Sequence, residues 1–189
     1  MRKLIATEYV TLDGTMQDPG GGDQSPYGGW SGPFFDQEAG QFKFDELFAA
    51  GALLLGRATY EGFAKAWPAL KDEMGFADRM NGLPKYVVSR TLKTADWNNS
   101  TIIRDHVGEA VSKLKQEPGQ DILLAGSAML LSFLMQHDLV DEYRLLLHPI
   151  VVGGGKKLFP EGVKQTLRLV ESRALATGML ILRYEPERK

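Results

Sequence analysis

Three short segments of this 189-residue chain place an apolar run directly before small, hydroxyl or basic residues. They are Leu53-Leu54-Leu55-Gly56-Arg57-Ala58-Thr59, Tyr86-Val87-Val88-Ser89-Arg90 and Ile122-Leu123-Leu124-Ala125-Gly126-Ser127-Ala128-Met129. A strand that enters a helix through such a turn leaves free backbone N–H groups at the positive end of the helix dipole, where a phosphate is well placed. Gly56 and Gly126 would let a ligand approach the backbone, Thr59 and Ser127 add hydroxyls, and Arg57 and Arg90 add guanidinium forks. Close packing explains either glycine alone, whereas two in the same context favour an anion site. Neither is a Walker loop, because no Gly-Lys-Ser/Thr follows, and the Gly-x-Gly-x-x-Gly fingerprint is missing.

Other polar residues offer weaker chemistry. Asp13, just past the first predicted strand, is the candidate proton donor, set against the plain turn that Asp-Gly often makes. Asp36 and Glu38 are runners-up on a predicted helix, where such carboxylates usually face water. Tyr27, Trp30 and Phe34 could stack on a flat heterocycle or close a small core of their own. His106, His137 and His148 stand at no ligand spacing, so no metal site is expected. There is no Gly-x-Ser-x-Gly elbow. Gly153-Gly154-Gly155-Lys156-Lys157 reads as an anion nest or as a flexible loop. The absence of cysteine excludes disulfides, thiolate metal sites and thiol nucleophiles.

The elements that must position these residues follow from patterning. Strands are expected over 4–12, 52–56, 85–89, 100–104, 121–125 and 141–152. Helices are expected over 34–50, 59–66, 71–80, 105–116 (capped by Asp105) and 127–136. The strands 166–174 and 179–184 are joined by Leu175-Ala176-Thr177-Gly178 as a hairpin. Alternation of this kind predicts a single α/β domain over 1–189: three αβα layers, a mainly parallel sheet and an antiparallel C-terminal end. Seven of the 21 glycines fall between Gly14 and Gly32. A loop that long with four aromatics (Tyr27, Trp30, Phe34, Phe35) is expected to fold over something.

Composition narrows the function. A net charge of −2 without a long basic run argues against non-specific nucleic-acid binding. The longest apolar stretch, Leu123 to Met135, is broken by Gly126, Ser127 and Ser132 and is too short for a bilayer span. With no signal-peptide pattern at the N-terminus, a soluble, cytoplasmic protein is expected. The apolar 141–152 strand suits burial under helices or against a second copy in a homodimer.

The order of Leu4-Ile5-Ala6, Gly56-Arg57-Ala58-Thr59-Tyr60-Glu61, Val87-Val88-Ser89-Arg90 and Ala125-Gly126-Ser127 resembles dihydrofolate reductase. A fuller resemblance is to the C-terminal reductase domain of the bacterial bifunctional riboflavin-biosynthesis deaminase-reductase. It rests on Thr11-Leu12-Asp13-Gly14, Gly56 to Thr59 and Leu123 to Phe159, which includes Leu139-Val140-Asp141-Glu142, Pro149, Gly153-Gly154-Gly155 and Leu158-Phe159. It spans about Met1 to Tyr184, without the zinc-binding deaminase half. The resemblance implies a dihydrofolate-reductase-like fold and NADPH as hydride donor. By position, Gly56, Arg57 and Thr59 would hold the pyrophosphate, with Gly126, Ser127, Ala128 and Met129 on its other side. Ser89 and Arg90 would meet the adenosine ribose and its 2′-phosphate, and Ala6 and Thr7 the nicotinamide. Gly40 stands where dihydrofolate reductase carries a pterin-gripping carboxylate, and Ala125 where the riboflavin enzyme has a substrate-contacting Glu. The implied activity is reduction of a small planar heterocycle, pterin-like or aminopyrimidine-like, its identity open. The alternative is a non-catalytic nucleotide-binding module of the same fold.

Overall fold

The computed structural model describes residues 1–187. Its centre is built from strands that read as unbroken apolar runs, because both of their faces are covered. Eight strands form one sheet: β1 (Leu4–Thr11), β2 (Ala52–Gly56), β3 (Lys85–Val88), β4 (Ser100–Ile103), β5 (Ile122–Leu124), β6 (Glu142–His148), β7 (Leu167–Ala174) and β8 (Leu180–Pro186). Their order is β4-β3-β2-β5-β1-β6-β8-β7. Pairing is parallel from β4 through β6, whereas β8 runs antiparallel to both β6 and β7. The expected mainly parallel sheet with an antiparallel C-terminal end is what forms.

Strand alternation sends side chains to two cores. Leu4, Ala6, Leu54 and Leu124 pack with Val111 and Leu114 of α4 (Val107–Gln116) and Leu131 and Leu134 of α5 (Ala128–Gln136). On the opposite face, Ile5, Leu53, Leu55 and Leu123 meet Leu47 of α1 (Gln37–Ala49), Tyr60 of α2 (Arg57–Ala66) and Met80 of α3 (Phe76–Gly82). A smaller core of Ala39, Leu146, Leu175, Met179 and Ile181 lies beneath the C-terminal hairpin.

Several boundaries move for identifiable reasons. Helix α1 starts at Gln37, not Phe34: Gly32–Phe34 is a 3-10 turn, and Asp36 accepts the Ala39 amide at 2.9 Å as N-cap. Residues 71–75 are not helical. Asp72 instead accepts the amides of Phe76 and Ala77 at 2.9 and 2.7 Å, which starts α3 late and lets it run to Gly82. Helix α4 is preceded by His106 in a left-handed conformation (φ 49°), so Asp105 is not its cap. Helix α2 begins two residues earlier than expected, at Arg57. Strand β6 stops at His148, since Pro149 can donate nothing to the ladder.

Pairing of β1 with β5 ends at Ala6↔Leu124, while β1 continues beside β6 to Thr11↔His148. The two strands therefore part at their carboxyl ends. The chain also reverses its winding direction there, going outward through β2 and β3 and returning through β5 to β6. Open α/β sheets place their ligands at such a point.

Candidate functional site: a two-turn cradle at the strand ends

Both glycine turns arrive at one place. The Gly56 amide donates to the Gly126 carbonyl at 3.1 Å. A Cβ on Gly56 would fall 2.4 Å from Ser127 Oγ, and one on Gly126 would fall 2.7 Å from Thr59 Oγ1. Gly126 also has φ +75°, a conformation that suits glycine, and is joined to Ser127 by a cis peptide bond. Gly56 and Ser127 precede α2 and α5 with no side-chain cap, so the first amides of both helices are free for a ligand. Two helix N-termini in contact concentrate positive potential. Arg57 is exposed beside them, Ala128 is half-buried and Met129 stands 79% exposed.

Neighbouring strand ends supply the other expected residues. Gly56 pairs with Val88, which brings Ser89 and Arg90 next to this cradle. Ser89 is buried and its hydroxyl accepts the amides of Thr91 and Leu92 at 3.2 and 2.9 Å, folding the loop on which Arg90 sits. The Arg90 side chain is 84% exposed, with Asp105 3.8 Å from its Nε. Ala6 and Thr7 are buried on β1 where it leaves β5. The Thr7 hydroxyl donates to Glu46 Oε2 at 2.7 Å and receives Lys43 Nζ at 2.6 Å. Glu46 pairs with Lys43 and with Arg144, so this buried carboxylate faces two cations.

Glu8 lies inside the apolar run of β1, and patterning assigns it no role. It is 7% exposed, and its Oε1 accepts the Gly126 amide at 2.7 Å across the gap between β1 and β5. Burial pushes its carboxyl up to about 8, opposed by the Gly126 hydrogen bond and the Lys43 charge. Glu46 was missed in the same way, although it lies next to Leu47 in the buried stripe of α1. One signal could have exposed both: an acid inside an otherwise apolar face.

Asp13 sits in a clasp. Its Oδ1 accepts from Thr11 Oγ1 at 2.6 Å and the Val152 amide at 3.3 Å. Its Oδ2 accepts from the Gly153 amide at 3.1 Å and Lys157 Nζ at 3.0 Å. The Thr11 bond first, then Lys157 and the two amides, hold the carboxyl well below the usual carboxylate range. A carboxyl so held is ionised at neutral pH, where it accepts hydrogen bonds and has no proton to donate. The clasp ties the glycine-rich loop to 153–157.

That loop closes over His148. Trp30 is buried, its Nε1 donates to the Gln17 carbonyl at 3.1 Å, and its ring meets His148 edge-on at 4.9 Å. Phe34 and Tyr9 approach the same imidazole at 6.0 and 5.5 Å. Burial lowers the His148 pKa, and Nδ1 lies 2.8 Å from the Leu146 carbonyl. Tyr27 is exposed on one side and lies over Gly154, where a Cβ would fall 2.4 Å from its ring. Trp30 and Phe34 thus build the loop's own core, and Tyr27 stays at its edge.

An apolar cleft of about 500 Å³ opens elsewhere, between the outer face of α1 and residues 67–77. Phe35, Gly40, Phe44, Trp67, Met74 and Phe76 line it, with Lys71 and Asp72 also on its wall. Gln37, Gly40, Gln41 and Phe44 follow i, i+3, i+4, i+7, a second stripe on α1 distinct from its sheet-facing one. Glu38 is exposed and lies off this stripe. Helix α2 starts at the cradle and ends at the cleft, roughly 15 Å of helix. Among the described residues there is no group of three or more His, Cys, Asp or Glu that could hold a metal, and no helix long and apolar enough to cross a membrane.

The chain is 34% identical over 188 residues to the uncharacterized protein YyaP of Bacillus subtilis (strain 168), covering 97% of this chain and 94% of that one. A crystal structure from Shewanella sp. PV-4, provisionally assigned to riboflavin biosynthesis, superposes with a TM-score of 0.77 at 18% identity, covering 98% and 99% of the two chains. Dihydrofolate reductase from Enterococcus faecalis, complexed with NADP(H) and RAB-propyl, gives a TM-score of 0.58 at 13% identity over 98% and 97% of the two chains. These likenesses show a dihydrofolate-reductase-like fold. The model of the RibD C-terminal domain matches residues 2–181, and the chain belongs to that family.

Proposed function

We propose that the protein is an NADPH-dependent reductase of a small planar heterocycle, pterin-like or aminopyrimidine-like. One observation carries this reading: the turns after β2 and β5 meet as a glycine-walled cradle with free helix amides, in a member of this family. The residues suit a dinucleotide, because two adjacent helix N-termini offer uncapped amides to a diphosphate and the guanidinium groups of Arg57 and Arg90 are exposed near them. Gly56, Arg57, Thr59, Gly126, Ser127, Ala128 and Met129 would hold the diphosphate, Ser89 and Arg90 the adenosine end, and Ala6 and Thr7 the nicotinamide end. When bound, the cofactor supplies hydride.

The chain's own residues bind, orient and exclude water. Asp13 holds the glycine-rich loop shut against 153–157, and Trp30 and Phe34 anchor that loop from within. Tyr27, exposed on its outer side, and Glu38, exposed on α1, remain available to substrate. The expected result is oxidation of NADPH, followed by the loss of reduced-nicotinamide absorbance, with at least one pterin or aminopyrimidine. Saturable binding of NADPH without turnover across a broad panel of both classes would instead identify a non-catalytic nucleotide-binding module.

A further inference from the structure

Among the described residues, Glu8 is the acid that bridges the gap where β1 and β5 separate, and no role falls to it in the reading above. Its Oε1 holds the Gly126 amide at 2.7 Å, and the Gly126 carbonyl in turn accepts the Gly56 amide at 3.1 Å. One carboxyl therefore holds the residue through which the two halves of the cradle meet, gripping its amide while its carbonyl takes the Gly56 amide. Its second oxygen makes no hydrogen bond among the described residues. We propose that Glu8 is the positioning residue of the dinucleotide cradle, setting the Gly126–Ser127 turn through its amide and making cofactor affinity depend on the charge of this carboxyl. The proposal rests on the cofactor reading given above.

The physical reason is a conflict of signs. An ionised carboxylate beside free helix amides competes with a diphosphate for the same positive potential, whereas a neutral carboxyl keeps the hydrogen bond without the charge. The charged groups acting on Glu8 are Lys43 and Glu46, both from α1, and those two pair with each other. Arg144 of β6 pairs with Glu46, and Tyr9, next along β1, is itself pushed above its ordinary range by burial. With Lys43 shared in this way, burial dominates and keeps Glu8 protonated up to about pH 8. The folded value lies above the ordinary one. Stability from the neutral form is thus complete below the ordinary carboxyl range and is lost as pH rises through about 8.

The test compares wild type, Glu8→Gln and Glu8→Ala by NADPH titration between neutral and alkaline pH, with melting curves of the unliganded proteins alongside. Glutamine keeps the acceptor and removes the charge. Wild-type affinity is expected to fall about tenfold across the window, Glu8→Gln to stay within about twofold, and Glu8→Ala to be about tenfold weaker throughout. Glu8→Ala binding like wild type, or Glu8→Gln following the wild-type fall with pH, overturns the proposal. If wild type binds no NADPH at any pH, the cofactor reading fails, and the unliganded melting curves decide whether Glu8 holds the turn as described. Loss in Glu8→Gln of the wild-type fall in stability between the ordinary carboxyl range and about pH 8 supports that hold, and parallel curves overturn it.

Discussion

Arg90 carries its guanidinium into solvent at the end of β3, and the nearest acid, Asp105, is too distant for a strong hydrogen bond. A side chain so exposed contributes little to folding, and the proposed reading gives it the 2′-phosphate of the nucleotide as partner. Replacing it with alanine should change stability by less than about 0.5 kcal/mol. The same change should weaken NADPH binding about tenfold while leaving NADH within about twofold, since only NADPH carries the 2′-phosphate that a guanidinium fork grips. Fluorescence titration with both nucleotides checks this, and equal losses for the two would contradict it. Gly56, Gly126 and Ser127 stood out in the sequence as strand-end turns, and the fold brings those turns together. Glu8 and Glu46 did not stand out, because a buried acid is defined by what surrounds it, and those neighbours come from strands and helices distant in the chain. Trp30 and Phe34 were recognised as purposeful, but only the fold reveals that their partner is His148.

At the scale of elements, strand β2 was read to the residue because it is a short apolar run with a glycine at its end. Residues 71–75 were misplaced in a helix because Asp72 acts on amides four and five positions ahead, a cap that periodicity does not register. The cradle depends on element ends rather than element interiors, which gives a direct contrast between two glycines. Gly126→Ala puts a Cβ 2.7 Å from Thr59 Oγ1 at φ +75°, for a backbone cost of about 1–2 kcal/mol before Thr59 moves. Gly62, inside α2 with open space around it, should tolerate alanine and gain about 0.5–1 kcal/mol. Melting curves and NADPH titrations of the two variants should therefore diverge: Gly126→Ala loses stability and at least about tenfold in affinity, and Gly62→Ala keeps its affinity. Loss of affinity in both would show that the cradle is not where the nucleotide binds.

Across the whole molecule, the strand order brings together residues that the chain separates by about seventy positions, and that juxtaposition is what the isolated motifs lacked. The sequence alone indicated the sheet class and the C-terminal hairpin, since alternation and turn residues are local signals. The aromatic cleft was hidden, because it needs α1, the end of α2 and the start of α3 to be packed side by side. All of the functional reading depends on the paired turns accepting a pyridine dinucleotide. A ligand bound only by the folded state raises stability by about 2.7 kcal/mol at a hundredfold excess over its Kd, so binding and melting must move together. Calorimetric titration of NADPH into the wild-type protein is the most direct measurement: saturable heat at one site per chain, with a matching rise in Tm, is expected, whereas no heat and no rise with NADPH or NADP at millimolar concentration would contradict it.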